Sequence, residues 1–328
     1  MFLHIDDKNK NRVAAWEDNG GKITYGELVE FSEEMMRVAP TRTLAFCLCE
    51  NSIGSLAGYV AMMSAGIVPL LLNHELEKSL LHKLLDIYQP NFLWMPDDMD
   101  STGEIILHQY GYQLVAYAGD EKNLAPQLAL LLTTSGSTGS PKLVRQSYDN
   151  INANAASIAQ YLELDETERP ITMLPMNYTY GLSVINSHLL LGATILMTDI
   201  NYAQRGFWDF FKENQATSIV GVPFTYEILK KLRIFRMELS SLRYMTQAGG
   251  KLIPELHKEF AEYAKEKKIR FYVMYGQTEA TARMSYLPYE KSLEKYGSMG
   301  IAIPGGCFHL IDTEGKEICE PHVTGELV

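Results

Sequence analysis

Between residues 24 and 275 the sequence alternates short apolar runs with segments whose apolar residues recur every three or four positions. Strands covered on both faces read as unbroken apolar runs, whereas amphipathic helices carry a 3.6-residue period. The pattern predicts strands at 43–48, 67–72, 91–95, 128–132, 171–174, 193–197, 217–222, 242–246 and 269–275. A capping box, Thr24 with Glu27, opens a first helix that carries Leu28, Phe31 and Met35 on one face. Further helices are expected at 56–65, 76–88, 150–162, 182–190, 207–212, 224–232 and 254–267. Such alternation over this length points to an α/β fold with mainly parallel sheets sandwiched by helices, in two interleaved lobes over residues 1–296. From Gly297 the segments become short, β-like and Gly/Pro-punctuated, with a hairpin turn at Thr313-Glu314, so 297–328 is expected to form a separate β-rich part.

Composition removes several function classes. A formal net charge of −11 argues against a nucleic-acid partner, because phosphate backbones are bound by clustered Lys and Arg. The local basic runs, Lys230, Lys231, Arg233 and Arg236 and then 265–270, fall on helical patterns and read as solvated faces. Residues 55–72 carry no charge, but Gly66 and Pro69 divide them into a short helix and a short strand, so no membrane insertion is expected. The first ten residues lack the apolar core of a signal peptide. Four cysteines in 328 residues are too few for a disulfide framework, which implies a reducing, cytoplasmic setting. Cys307, His309, Cys319 and His322 have zinc-like spacing, yet Asp312 to Gly315 between them is ordinary hairpin-turn chemistry, and no zinc site is expected.

The stretch richest in chemistry follows the apolar run 128–132 and reads Thr133-Thr134-Ser135-Gly136-Ser137-Thr138-Gly139-Ser140-Pro141-Lys142. Its glycines allow close backbone approach to an anion, and its hydroxyls and Lys142 add donors and a charge, so the expected guest is a polyphosphate. A Walker-type loop would need Gly-Lys-Ser/Thr at a helix start. Here Pro141 stands at the position of that second glycine and has no N–H to give. The β-leaning Leu143-Val144-Arg145-Gln146-Ser147 comes next, so the loop is expected to join two strands.

Ser135-Gly136-Ser137-Thr138-Gly139-Ser140-Pro141-Lys142 resembles the phosphate-binding signature of the adenylate-forming superfamily, the acyl- and aryl-CoA synthetases, peptide-synthetase adenylation domains and luciferases. Five further segments resemble that family in the same order. Leu174-Pro175-Met176-Asn177-Tyr178-Thr179-Tyr180-Gly181-Leu182 is similar to its aromatic acid-pocket motif, and Gln247-Ala248-Gly249-Gly250 to its Gly-rich strand end beside adenine and substrate. Tyr275-Gly276-Gln277-Thr278-Glu279 is similar to its Tyr-Gly-x-Thr-Glu motif. Gly297-Ser298-Met299-Gly300 with Pro304-Gly305 resembles the segment leading into its small β-barrel, and Gly325-Glu326-Leu327 the segment after that.

The resemblance implies an AMP-forming acid–thiol ligase that activates a small carboxylic acid as an acyl-adenylate with ATP and Mg²⁺. The acyl group would then pass to CoA or to phosphopantetheine on an acyl carrier protein. It implies that Thr134, Ser135, Gly136, Ser137, Thr138, Gly139 and Lys142 hold phosphates and that Gln247, Ala248, Gly249 and Gly276-Gln277 flank the nucleotide. Tyr275 would pack on adenine, Thr278 would donate to the α-phosphate, Glu279 would hold the metal, and Asn177, Tyr178, Tyr180, Gly249 and Gly250 would shape the acid pocket. Lys142, Thr278 and Glu279 are the implied catalytic set. Tyr178 replaces the His that many CoA synthetases carry, and no Asp between Met173 and Leu190 offers to hold an α-amino group. The family's ribose-binding Asp and its lid domain of about a hundred residues, with a catalytic lysine, are expected from outside this sequence, and without them activity should be impaired. The alternatives are a non-catalytic nucleotide or acyl-adenylate binding module and, against the evidence of Pro141, a phosphotransferase.

Overall fold

The computed structural model describes residues 1–117, 119, 122–134 and 142–328. Among them, residues 44–147 build a seven-stranded sheet in the order Glu104–Gln109, Tyr112–Ala116, Phe92–Pro96, Leu44–Cys49, Val68–Asn73, Leu128–Thr133, Leu143–Ser147. The four strands from Phe92–Pro96 to Leu128–Thr133 run parallel, and both margins are antiparallel. A nine-stranded sheet runs from Ile301–Ala302 through Ala282–Tyr286, Arg270–Gln277, Tyr244–Gln247, Ser218–Gly221, Pro170–Thr172 and Ile195–Met197 to Val13–Glu17 and Lys22–Thr24. It is parallel from Arg270–Gln277 to Val13–Glu17. The lobes are interleaved because the hairpin at 13–24 belongs to this second sheet, while the chain that follows builds the first.

Side chains alternate across a strand, so a run buried on both faces must supply two cores. Leu44, Phe46 and Leu48 do so on one side with Leu81 and Leu84 of the Lys78–Tyr88 helix. Ala45, Cys47 and Cys49 do so on the other, with helices Tyr25–Val38 and Ile53–Ser64 and with Ile195 and Met197 of the second sheet. Tyr148–Tyr161 and Thr179–Leu191 fill the rest of this central layer. Arg205–Glu213, Pro223–Lys231 and Pro254–Lys267 cover the far side of the nine-stranded sheet. The result is five layers, helix, sheet, helix, sheet, helix.

Local signals placed the main elements. The Thr24/Glu27 capping box is formed, with Thr24 Oγ1 accepting from Glu27 N at 3.2 Å, and Leu28, Phe31 and Met35 are buried. A second box, Ser147 with Asn150, starts the helix after the phosphate loop. Leu143–Ser147 is the strand that its β-leaning sequence led one to expect, antiparallel to Leu128–Thr133. Two hairpins, 13–24 and 104–116, were not anticipated, because their strands are short or face water on one side.

Past residue 300, Ile301–Ala302 closes an edge of the nine-stranded sheet, and Leu310–Ile311 pairs with Glu326–Leu327. The turn at 312–316 is built by Asp312, whose carboxylate accepts from Glu314 N and Lys316 N. His309 Nδ1 lies 2.9 Å from Glu317. No group of three or more metal-ligating side chains occurs among the described residues. Nor is any described helix long and apolar enough to cross a membrane.

Candidate functional site

Parallel α/β sheets bind ligands beyond the carboxyl ends of their strands. The nine-stranded sheet opens there into a cavity of about 700 Å³. Register explains one wall. Gln247, the last residue of its strand, pairs with Val273, whereas the neighbouring strand continues to Gln277 and overhangs the sheet. The overhang leaves Tyr275 38% exposed, with a ring face free to stack. The backbone then turns through Thr278–Ala280 and returns as Ala282–Tyr286, with a bulge at Tyr275/Gly276. Gly276 is required by this return: a Cβ would lie 1.7 Å from Ala282 O.

The returning strand is pinned from below. Asn154 Nδ2 donates to Arg283 O at 2.9 Å. The buried Arg283 side chain donates to Ser183 Oγ and Tyr161 OH, both at 3.1 Å, and lies 5.2 Å from the centre of the Tyr180 ring. The other sheet reaches the same place, since Gln146 Nε2, on the strand after the phosphate loop, donates to Thr278 O at 3.1 Å. Thr134 lines the cavity from the strand before that loop.

Of the fourteen expected site residues that are described, nine therefore meet. Thr134, Tyr178, Gly249, Gly250, Tyr275, Gly276, Gln277, Thr278 and Glu279 border one cavity. Ser135, Gly136, Ser137, Thr138 and Gly139 lie outside the described residues. Lys142 is exposed at the start of Leu143–Ser147, one residue beyond the Thr133–Leu143 pair, and does not line the cavity. Gln247 and Ala248 lie buried behind the wall. Gln247 Nε2 donates to Gly250 O at 2.9 Å and to Ala248 O at 3.1 Å, so it braces the Gly-rich turn.

Asn177 and Tyr180 are not on the lining either. Residues two apart on a helix are turned by about 200°. Tyr178 at the N-cap of Thr179–Leu191 therefore faces the cavity, whereas Tyr180 turns into the core and bonds Thr246 through its hydroxyl. Asn177 Oδ1 is shielded and has no hydrogen-bond partner among the described residues. Lining residues outside the expected set include Leu252 and His257, and also Thr179, Lys251, Val273, Met274, Gly297, Ser298 and Met299. The first two sit at the start of an ordinary amphipathic helix pattern, which carries no local signal of a site.

Gly249 has φ +76°, and a Cβ there would lie 2.3 Å from the Tyr178 hydroxyl. Gly249→Ala is expected to cost about 1–3 kcal/mol and to push Tyr178 off its position. Gly250→Ala, whose Cβ would meet only the Pro223 ring, Cγ at 3.0 Å and Cδ at 3.3 Å, should cost less. Thermal unfolding of the two variants checks this, and equal losses would contradict the account.

Comparison with known proteins agrees with this geometry. The family model for AMP-binding enzymes matches residues 4–328. The 2-succinylbenzoate–CoA ligase of Bacillus pumilus is 28% identical over 342 residues, an alignment covering all of this chain and 68% of that protein. The indoleacetate–CoA ligase of Aromatoleum aromaticum is 28% identical over 211 residues, covering 63% of this chain and 40% of its own length. Among solved structures, Bacillus subtilis o-succinylbenzoate CoA synthetase with its acyl-adenylate intermediate superposes with a TM-score of 0.80 at 22% identity, over 99% of this chain and 68% of that one. A long-chain-fatty-acid–CoA ligase from Archaeoglobus fulgidus gives 0.81 at 17% identity, over 99% and 72%. The family match takes in every wall of the cavity, from Thr134 to Met299, and the chain belongs to the AMP-binding enzyme family.

Proposed function

We propose that this chain carries the nucleotide and acid sites of a ligase that condenses a carboxylic acid with ATP, giving an acyl-adenylate and pyrophosphate, and then transfers the acyl group to a thiol. The observation that carries the reading is the convergence of Thr134, Tyr178, Gly249 and the overhanging 275–279 segment on one cavity. CoA is favoured as the thiol, because the relatives reported above are named CoA ligases; a carrier-bound phosphopantetheine is the second choice. Buried Cys47 and Cys49 and unpaired Cys307 and Cys319 suit a reducing, cytoplasmic setting.

Each residue has a task that its surroundings permit. Tyr275 offers a ring face to adenine, and the Thr278 hydroxyl stands beside it to donate to the α-phosphate. Lys142 and the hydroxyls and N–H groups of 135–139 would neutralise charge as pyrophosphate leaves, work that consists of positioning and electrostatics. Glu279 fits a magnesium ion: its carboxylate is exposed on the cavity rim, and among the described residues it has no hydrogen bond or ion pair. A hard-oxygen ligand left free in this way suits Mg²⁺, which when bound screens the phosphate charge. No protein nucleophile is required.

For the acid, Tyr178 with Leu252, Val273 and Met274 supplies an aromatic and aliphatic wall. Two relatives are named for aromatic acids. The substrate class is thus an aryl-bearing carboxylic acid without an α-amino group.

The test is a thermal-shift screen against non-reactive acyl-sulfamoyl-adenosines, with AMP and Mg·ATP alongside. At a hundredfold excess over Kd an aryl member should stabilise the protein by about 3 kcal/mol, read as a rise of several degrees. No response to any of these ligands would overturn the reading.

A further inference from the structure

His257 joins two walls of the cavity that are forty positions apart in sequence. It lies in the first turn of Pro254–Lys267, a helix that starts just after the wall residues Gly250, Lys251 and Leu252. Its side chain is fully enclosed. On its Nδ1 side Gly297 N–H donates at 3.1 Å, and Gly297, Ser298 and Met299 form the opposite wall. Since Nδ1 accepts, the ring proton is on Nε2, which faces Ser292 Oγ at 3.0 Å. The Phe271 ring meets the imidazole edge-on, with centroids 5.7 Å apart, and fixes its plane.

The segment it holds has little else to define it on this side. Gly297 has φ +88°, and the space where its Cβ would be is nearly open, with Pro254 Cγ at 3.9 Å the sole neighbour within 4 Å. Ser298 Oγ accepts from Gly300 N within the same turn, and Met299 O is held from the other side by Ser285 Oγ at 2.8 Å. The Gly297 N–H is therefore the point at which this wall is tied to the helix.

We propose that His257 is a positioning residue: a neutral imidazole latch that sets the width of the cavity by tying Gly297–Met299 to the start of Pro254–Lys267, and so tunes ligand affinity without touching the reacting atoms. The affinity part of this rests on the nucleotide reading of the cavity given above; the latch itself does not. The chemistry required at position 257 is an acceptor at the Nδ1 site. Asn places an amide oxygen there, whereas Gln carries its amide one bond further, toward Ser292.

The experiment compares His257→Asn with His257→Gln, two polar variants that leave similar voids. Amide exchange at Gly297 and the Kd for AMP are both read at pH 7. The Gln variant should exchange Gly297 about tenfold faster and bind AMP about tenfold more weakly, the size of effect expected of one lost hydrogen bond. The Asn variant should stay within about threefold of the parent in both readings, on the same reasoning. Equal losses in the two variants would reduce His257 to a space-filling role and overturn the proposal, as would no change in either. Should the parent bind no AMP while Gly297 exchange still separates Asn from Gln, the latch stands and the nucleotide reading fails.

Discussion

Glu279→Gln, in a protein complete with its lid, is expected to slow adenylate formation by about 10²–10³-fold while AMP affinity stays within a few-fold. The asymmetry follows from where the residue stands. Glu279 is exposed in the turn after the overhanging strand and holds no other group among the described residues, so its loss should change stability by less than about 0.5 kcal/mol. Gln keeps the shape and removes the charge. AMP carries no pyrophosphate to be shielded, whereas the departure of pyrophosphate from Mg·ATP does need that charge. Pyrophosphate exchange measured across a magnesium titration reads the effect directly. An unchanged rate at every magnesium concentration would remove Glu279 from the metal site.

Acid should unfold this protein through its buried histidines. His188 is 1% exposed, with Nδ1 2.7 Å from Val184 O and Nε2 2.8 Å from Tyr244 OH. Both contacts are satisfied by a neutral ring, and burial depresses its pKa to about 4. Burial likewise takes His257 to about 4. Unfolded, each would titrate near 6.5, so the unfolded chain binds the extra proton first as pH falls. The stability contributed by neutral burial is thus complete above about pH 6.5 and is lost progressively down to about pH 4, on the order of 3 kcal/mol for His188. His257, enclosed at the cavity wall, adds to the loss in the same direction.

Glu50 and Asp199 act in the opposite direction. Burial raises both carboxyls, so they favour the folded state as they protonate, and the histidine slope is cleanest above the carboxylate range. Urea unfolding at pH 7.0, 6.0 and 5.0 should show stability falling with pH. A His188→Gln, His257→Asn double variant should flatten that dependence. If the slope survives in the double variant, other groups carry it.

The parts of this molecule that could be read from sequence are those whose cause is local. The β-leaning run Leu143–Ser147 announces its own strand, and Pro141, which lacks an N–H whatever surrounds it, argues against a Walker-type loop before it. The Thr24/Glu27 box and the apolar strands at 44–49 and 68–73 state their own geometry within a few residues. Tyr275 to Glu279 could be placed on the cavity because they stand at a strand end. Tyr180 could not, since a two-residue step at a helix start decides which of two tyrosines faces the cavity. The bond from Gly297 to His257 spans forty residues, and no window along the chain contains both ends. The hairpin at 104–116 turns on Tyr110 and Gly111, both at positive φ, without the Asn-Gly or Asp-Gly that usually announces such a turn.

The interleaving of the lobes also orders events in time. Ala15 pairs with Ile195, and Thr198 Oγ1 bonds Asp18 across 180 residues. During synthesis the first hairpin therefore leaves the ribosome long before its parallel neighbour exists. The strands at 44–147 contact one another over much shorter distances and can assemble while Val13–Glu17, paired only with Lys22–Thr24, waits for its parallel neighbour. Non-local parallel pairing is slow because loop entropy is lost before contacts repay it. At about 5–20 residues per second, the wait lasts on the order of ten seconds or more. Through that interval the apolar face of the first hairpin, Ala14, Ala15 and Ile23, is the surface a chaperone would have to cover.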